Sequence, residues 1–393
     1  MKKQILSYLS LGQICDVQSG GTPSRHINEY WEKGNIPWVK ISDIKGKHLL
    51  GTDEYITRQG LENSSAKIFP KGTILYTIFA TLGETTILNI DAATNQAIAG
   101  INIHDQYKKI ILTDYLYYYL LSIKDIMCKV GRGVAQNNLN LKILRNVQVP
   151  VPTIEEQNKI IDTLSSIEKI MLVKDRQLSL LSNLVKSRFI EMFGKPSELN
   201  NFANAQIKDV ASVGVGIVIK PTRFYSNDKS GKRAFRSLNI GPFGVSPNSE
   251  WVYFTNEAMA ENKRTIVHEG DVLIVRSGNP GTCCVVQKEY DGCNVIDLII
   301  AHPNKRKILP EYLCAFTNMP HGMNQVNNQK HGVAQRHFNV SMYEKMKIYV
   351  PNLSLQQQYV NFMMQVDKSK MAVQKSLDEL ETLRKSLMQT YFG

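Results

Sequence analysis

The sequence predicts an α+β chain in which two similar globular domains alternate with two long helices, the helices pairing as an antiparallel coiled-coil spacer. Three observations carry this expectation. The tetrapeptide GVAQ stands at 133–136 and again at 332–335, 199 residues apart in a chain of 393. Short β-type runs such as TILYTIF and DVLIVR, broken by Gly, Pro and Asn turns, precede each copy. Each copy is followed by a long stretch with a narrow apolar stripe at heptad spacing.

The repeat sets the domain boundaries. At the same 199-residue shift, Pro152 falls on Pro351, Gln157 on Gln356, and KSRFIEMFG (186–194) on KSLMQTYFG (385–393). Upstream, KGTILYT (71–77) falls on EGDVLIV (269–275) and QICDV (13–17) on QIKDV (206–210), at slightly different offsets. Internal similarity of this kind marks a duplicated unit. The expected division is 1–152 and 195–351 for the globular domains, with 153–194 and 352–393 for the helices.

Within the first globular domain the β-runs are joined by DYLYYYLLSI, expected to form a helix. The acidic pair after Thr153 suits a helix N-terminus, where the dipole favours negative charge, and Gly194 suits its end. Along the first helix Ile160, Leu164, Ile167, Met171, Leu178, Leu181 and Val185 follow steps of four and three, with Lys174 interrupting. The same lattice in the second helix holds Met363, Val366, Val373, Leu377 and Leu380. A helix of ~38 residues spans roughly 57 Å and needs a partner for such a stripe. The twin helix is the nearest candidate, which would relate the globular domains by a pseudo-two-fold axis. Ordinary core helices are the competing reading.

Composition bounds the function. The content of 43% hydrophobic and 21% charged residues is that of a folded globular protein. No run approaches the apolar length of a membrane span. MKKQILSYLSLGQ starts like a signal peptide, but its apolar run is short and broken, so it is read as the first element of a domain. Six cysteines form no CxxC pair and no zinc spacing, which fits a reducing cytoplasm and no bound metal. The net charge of +12 points to an anionic partner, nucleic acid being the commonest. Residues 1–154 contribute +5 and 194–354 contribute +6, whereas the helices are nearly neutral. The ends should therefore meet the anion and the spacer should not.

Catalytic constellations are missing. SGNPGT (277–282) has the Asn-Pro of an adenine methyltransferase motif without its second proline or aromatic residue. VHEGD (267–271) begins like HExxH, but position 272 is valine. Gly214 and Gly216 lack a third glycine, and no P-loop occurs. The chain itself is expected to be no enzyme and to bind no cofactor.

Reading DNA needs Arg, Lys, Asn, Gln, Ser or Thr on loops that reach base edges, with further cations on phosphates. In the first domain Ser24, Arg25, Lys40, Ser42, Lys45 and Lys47 are selected, with Arg132, Gln136 and Asn137 near the first GVAQ. The densest basic-aromatic patch is KPTRFYSNDKSGKRAFRSLN in the second domain. It holds Lys220, Arg223, Lys229, Lys232, Arg233 and Arg236 among Phe224, Tyr225 and Phe235. Arg276 and Asn279, Lys305 and Arg306, and Gln335 and Arg336 complete the selection. Trp31 and Trp38 are assigned to packing rather than base stacking.

The stretch SGGTPSRHINEYWEKGNIPWVKISDI (Ser19 to Ile44) resembles the start of a target recognition domain in the specificity subunit of a type I restriction-modification system. GDVLIVRSGNPGT, GVAQNNLN before a strand, and P-x-[IL]-x-x-Q opening each helix extend the resemblance over the chain. The second domain departs from it, lacking the TPS…YW…IPW pattern. The resemblance implies a bipartite, asymmetric double-stranded DNA target, one half read by each domain. It also implies two adenine methyltransferase subunits docked on the helices and two restriction subunits, with S-adenosylmethionine, ATP and Mg bound by those partners. A stand-alone DNA- or RNA-binding protein and a coiled-coil structural protein are the alternatives.

Overall fold

Each long helix begins two residues after a proline and runs for 40 residues, Ile154–Phe193 and Leu353–Phe392. The computed structural model describes residues 5–132, 138–218, 221–226, 229, 231–246, 250–328 and 338–393. Both GVAQ copies lie outside them, as do Gln136, Asn137, Lys220, Gln335 and Arg336. The chain forms two units, 1–175 with 375–393, and 176–374. Each unit thus takes the start of one long helix and the end of the other.

In the first unit a five-stranded sheet has the order Cys15–Ser19, Ile98–Ile103, Ile74–Thr77, Thr85–Leu88, His48–Leu49. A four-stranded sheet has the order Tyr55–Ile56, Ile36–Val39, Ala92–Thr94, Ile68–Phe69, with its central pair parallel. A third, two-stranded sheet joins Ile5–Ser10 to Gln148–Pro152. The Tyr-rich segment is a helix, Thr113–Ser122, with every residue from Tyr115 to Leu120 buried. Its side chains pack with Ile74, Tyr76 and Ile101 of the sheet and with Ile160 and Leu164 of the long helix. Leu387, Met388, Tyr391 and Phe392 from the other long helix lie against the same core.

The second unit repeats the plan. One sheet has the order Ala211–Val215, Leu298–Pro303, Val272–Val275, Cys283–Val285. The other has the order Tyr225–Ser226, Val252–Phe254, Lys232–Phe235, Asn294–Val295, again with a parallel pair. Helix Pro310–Asn318 takes the place of the Tyr-rich helix, and its Tyr312 and Phe316 meet Phe189 at ring distances of 5.9 and 6.3 Å. Phe189 and Phe193 also meet Tyr359, at 5.1 and 5.5 Å. Arg188 sits over Phe362 at 5.8 Å. Numbers rise along one helix as they fall along the other, so the two segments run antiparallel.

Burial follows the heptad. Ile160, Leu164, Ile167, Val185, Met363, Val366, Val373 and Leu377 are buried, and Met171, Leu178, Leu181 and Leu380 are half-buried. Off the stripe, Leu172, Val173 and Leu180 stay 58–71% exposed. The first long helix ends at Gly194, whose φ of +82° is a left-handed conformation that glycine adopts without steric cost.

A buried glutamine ties each globular part to its helix. Gln157 Nε2 donates to the Ile110 (2.8 Å) and Pro152 (3.0 Å) carbonyls, and its Oε1 accepts from Leu112 N (2.9 Å). Gln356 does the same with Lys307 (3.0 Å), Pro351 (2.8 Å) and Leu309 N (2.8 Å). Tyr115 donates to Pro150 O and Tyr312 to Tyr349 O, at 2.9 and 2.8 Å. Asn140 and Asn339 each cap a short helix in the residues just past a GVAQ copy.

Candidate nucleic-acid interface

Basic residues flank the parallel strand pair of each unit. In the first, strand Ile36–Val39 runs into Lys40 and a one-turn 3-10 helix, Ile41–Asp43. Lys40 Nζ lies 2.7 Å from Glu54 Oε1, and Arg25 Nη2 lies 2.5 Å from Glu54 Oε2. The Arg25 guanidinium sits 3.6 Å from the Trp31 ring centre and 5.0 Å from that of Trp38. Hydrogen bonding from Lys40, with Arg25 adding to it, holds the Glu54 carboxyl below its ordinary range. One carboxylate therefore offsets part of the charge of two selected cations.

Ser24, Ser42 and Lys45 are exposed. Lys47 is turned inward, its Nζ 2.5 Å from Asp114 and 4.6 Å from the Tyr118 ring centre, so its charge joins strand to helix within the unit. Arg132 ends the helix Lys124–Arg132. Trp38 is buried and donates through Nε1 to Gly21 O at 3.0 Å, with Trp31 edge-on to it. Both tryptophans thus pack.

In the second unit, Lys229, Lys232 and Arg233 border an open concavity of about 520 Å³ with Tyr253, Glu289 and Asp291. Arg233 lies 5.3 Å from the Trp251 ring centre, and Trp251 stacks on Tyr290 at 5.5 Å. Among the described residues no carboxylate is within ion-pair distance of Lys232 or Arg233. Arg223 is exposed beside Phe224, 4.4 Å from its ring centre. Arg236 is anchored, donating through Nη2 to Glu250 O at 2.9 Å.

Arg276 pairs with Asp297 at 2.6 Å and donates to Phe338 O at 3.3 Å, which makes it a brace inside the unit. Asn279 is exposed in the turn between two strands. Lys305 and Arg306 are exposed on the loop before Pro310, and Lys305 borders a separate groove with Met363, Met364 and Asp367. The structure thus brings Lys229, Lys232 and Arg233 together and leaves Lys305 apart from them.

Sequence reasoning missed an equivalence. The second unit lacks the IPW pattern, yet it keeps the strand and turn that pattern builds. Trp38 pairs with Ala93 and Val39 with Thr94, as Ala234 pairs with Asn294 and Phe235 with Val295. IPWVKISDI (36–44) thereby corresponds to KRAFRSLNI (232–240). Glu54 then corresponds to Val252, so the second unit has no carboxylate at that position to face Arg236, the counterpart of Lys40. A usable signal was Thr57 and Thr255, each following a Tyr-Ile or Tyr-Phe pair and each capping a short helix.

Among the described residues no group of three or more His, Cys, Asp or Glu side chains is placed to hold a metal ion, and no helix is long and apolar enough to cross a membrane.

Comparison with known proteins gives the same picture. The chain is 31% identical over 185 residues to the type I restriction enzyme MjaIX specificity subunit of Methanocaldococcus jannaschii, covering 46% of this chain and 42% of that protein. It is 28% identical over 177 residues to the EcoR124I/EcoR124II specificity subunit of Escherichia coli, covering 43% and 42%. The matched stretch spans about two-fifths of the length of these curated relatives. The S subunit of a type I restriction-modification system from M. genitalium has the same fold, with a TM-score of 0.54 at 13% identity over 100% of this chain and 98% of that one. A chain from a structure of the assembly and conformational transition of the type I system aligns with a TM-score of 0.58 at 16% identity, over 98% and 97%. The family model described as type I restriction modification DNA specificity domain matches residues 7–181 and again 200–382, so the chain belongs to that family and carries its domain twice.

Proposed function

We propose that this chain is the DNA-specificity subunit of a type I restriction-modification enzyme, each unit reading one half of a bipartite, asymmetric double-stranded target. One observation carries the reading. The two units share a backbone plan down to the buried glutamine, yet differ in the basic and aromatic side chains around the parallel strand pair. A duplicated scaffold with unlike reading surfaces suits two unlike half-sites, because phosphate contacts position a protein and base contacts specify the sequence.

The chain supplies no chemistry of its own in this reading. Two adenine methyltransferase subunits dock on the long helices, where Leu172, Val173, Leu180 and Met371 leave apolar side chains exposed. Two restriction subunits join them. S-adenosylmethionine, ATP and Mg are bound by those partners, and the assembly works in the cytoplasm.

The test is the adenine methylome of cells with the gene intact, deleted, or carrying a replaced 195–351 segment. The expected result is loss of one gapped motif on deletion and change of one half of it on replacement. A methylome untouched by deletion, in cells that make the chain and a methyltransferase, overturns the proposal.

A further inference from the structure

The strand-turn shared by the two units has a fixed frame and an unlike tip. In the first unit the Lys40 backbone N–H donates to Asp43 Oδ2 at 3.0 Å, and Asp43 N returns to Lys40 O at 3.0 Å. In the second, Arg236 N donates to Asn239 Oδ1 at 2.8 Å, and Asn239 N returns to Arg236 O at 2.9 Å. Each frame is held from the side as well. Thr52 Oγ1 donates to Asp43 Oδ2 at 2.8 Å, and Asn239 Nδ2 donates to Glu250 O at 3.1 Å. Both turns lead into isoleucine, Ile44 and Ile240.

The residue just before the Asp or Asn differs between the turns. It is Ser42 in one unit and Leu238 in the other, and both side chains are exposed. Among the described residues its tie to the frame is a long one, Ser42 Oγ donating to Asp43 Oδ1 at 3.4 Å. Leu238 is 65% exposed, although it sits beside the anchored Arg236. A lone leucine on a surface is ordinary. This one stands at the tip of a turn whose other positions are dictated by the backbone, where the twin unit carries a hydroxyl. Packing does not call for leucine here, since so much of the side chain stays in water.

We propose that Ser42 and Leu238 are base-reading positions of the two half-sites. This rests on the DNA-recognition reading above and names residues within it. Leucine has no donor or acceptor, so it discriminates only by apolar contact, and the C5-methyl of thymine is the apolar feature of the major groove. Leu238 therefore selects a T·A pair at one position of its half-site. Ser42 reads the matching position of the other half through its hydroxyl, which donates or accepts. The bonds common to both frames run from backbone groups and from Asp43 or Asn239, so either tip residue can change with those bonds kept.

The experiment compares the methylated motif, determined by sequencing, in cells expressing the intact chain, Leu238→Ser, Leu238→Thr or Ser42→Leu with the methyltransferase partner. Leu238→Ser should relax one T·A position in one half by about fivefold or more, the scale of one lost base contact. Leu238→Thr, which keeps a methyl, should relax it less, and Ser42→Leu should alter the other half alone. Melting temperatures of all variants should match the intact chain, because both sites are exposed. Unchanged motifs with methylation retained would overturn the assignment, as would a change in both halves from one variant. Variants that fail to fold would also overturn it, by making Leu238 part of the frame. If the intact chain directs no gapped motif, the parent reading fails first, which the unmodified control reveals.

Discussion

Replacing Gln356 with leucine keeps the side chain's bulk and removes all its hydrogen bonds. Three backbone groups lose a partner: the Leu309 N–H and the carbonyls of Lys307 and Pro351. Gln356 and Pro351 are buried, whereas Lys307 is exposed and its carbonyl has a better chance of finding water. Each buried group left unpaired costs about 1–3 kcal/mol, so two such groups and a fraction of the third come to roughly 3–5 kcal/mol. No cavity adds to this, because leucine fills nearly the same space. For a unit of about 200 residues each kcal/mol moves the midpoint by about 2–4 °C, which puts the expected loss near 10 °C. Thermal unfolding followed by circular dichroism measures it, and hydrogen exchange at the Leu309 amide locates it. Gln157→Leu should do the same in the first unit, with exchange rising at Leu112. A midpoint within about 2 °C of the intact chain, with Leu309 still protected, would refute the assignment of these glutamines as the ties between globular part and helix.

Three further outcomes follow from the site and the histidines. Arg233→Gln should flatten the plot of log affinity against log salt by about 0.9, one phosphate contact, with folding unchanged; anisotropy titrations on duplex DNA at several salt concentrations measure the slope. Glu54→Gln should steepen the same plot by about one, since Lys40 and Arg25 would no longer face a carboxylate, and an identical slope would place both cations away from phosphates. His321 is buried, with Nε2 2.8 Å from the Gly194 carbonyl and Nδ1 without a partner among the described residues. Burial lowers its imidazole below the ordinary 6.5, outweighing the opposite pull of the Gly194 carbonyl. The folded state then binds fewer protons than the unfolded one, so this contribution is full above about pH 6.5 and lost as the pH falls through the lowered value. His302 acts in the opposite sense. Its hydrogen bond to Asp271, 2.7 Å away, raises it, so that contribution is present below about 6.5 and lost as the pH rises through the raised value. Melting curves of His321→Gln and His302→Gln against pH should each lose one of these slopes, and profiles parallel to the intact chain would exclude both.

What the sequence disclosed depended on whether the relevant partners are near or far along the chain. The heptad of Ile160, Leu164 and Ile167 is a local period, so the buried stripe could be read directly. Gln157 and Gln356 stood out as identical residues 199 apart, but their purpose lay in partners some 45–49 residues away. Lys40 and Lys47 both read from the sequence as DNA-contacting cations. Glu54 and Asp114, which face them, are 14 and 67 positions distant, and a charge count does not register such pairings. Arg276 is similar, its Asp297 partner coming from across the sheet.

The turn at Asp43 and Asn239 explains why the second unit looked unlike the first. KISDI and RSLNI share only their final isoleucine, so letter-by-letter comparison sees little. Their turn-closing hydrogen bonds are the same, because a backbone N–H donates equally to an aspartate or an asparagine oxygen. The same holds for Thr57 and Thr255, whose hydroxyls cap helices of different composition. Residues that serve the backbone recur between the units as a chemical kind, whereas residues that face solvent are released from that demand. Leu238, where the first unit has Ser42, is a position of the second sort, whereas Val252, where the first unit has Glu54, is half-buried against an apolar cluster. Duplication can therefore preserve a fold through a handful of backbone-bonded side chains while the exposed ones diverge, and it is at those exposed positions that two copies can come to read different DNA.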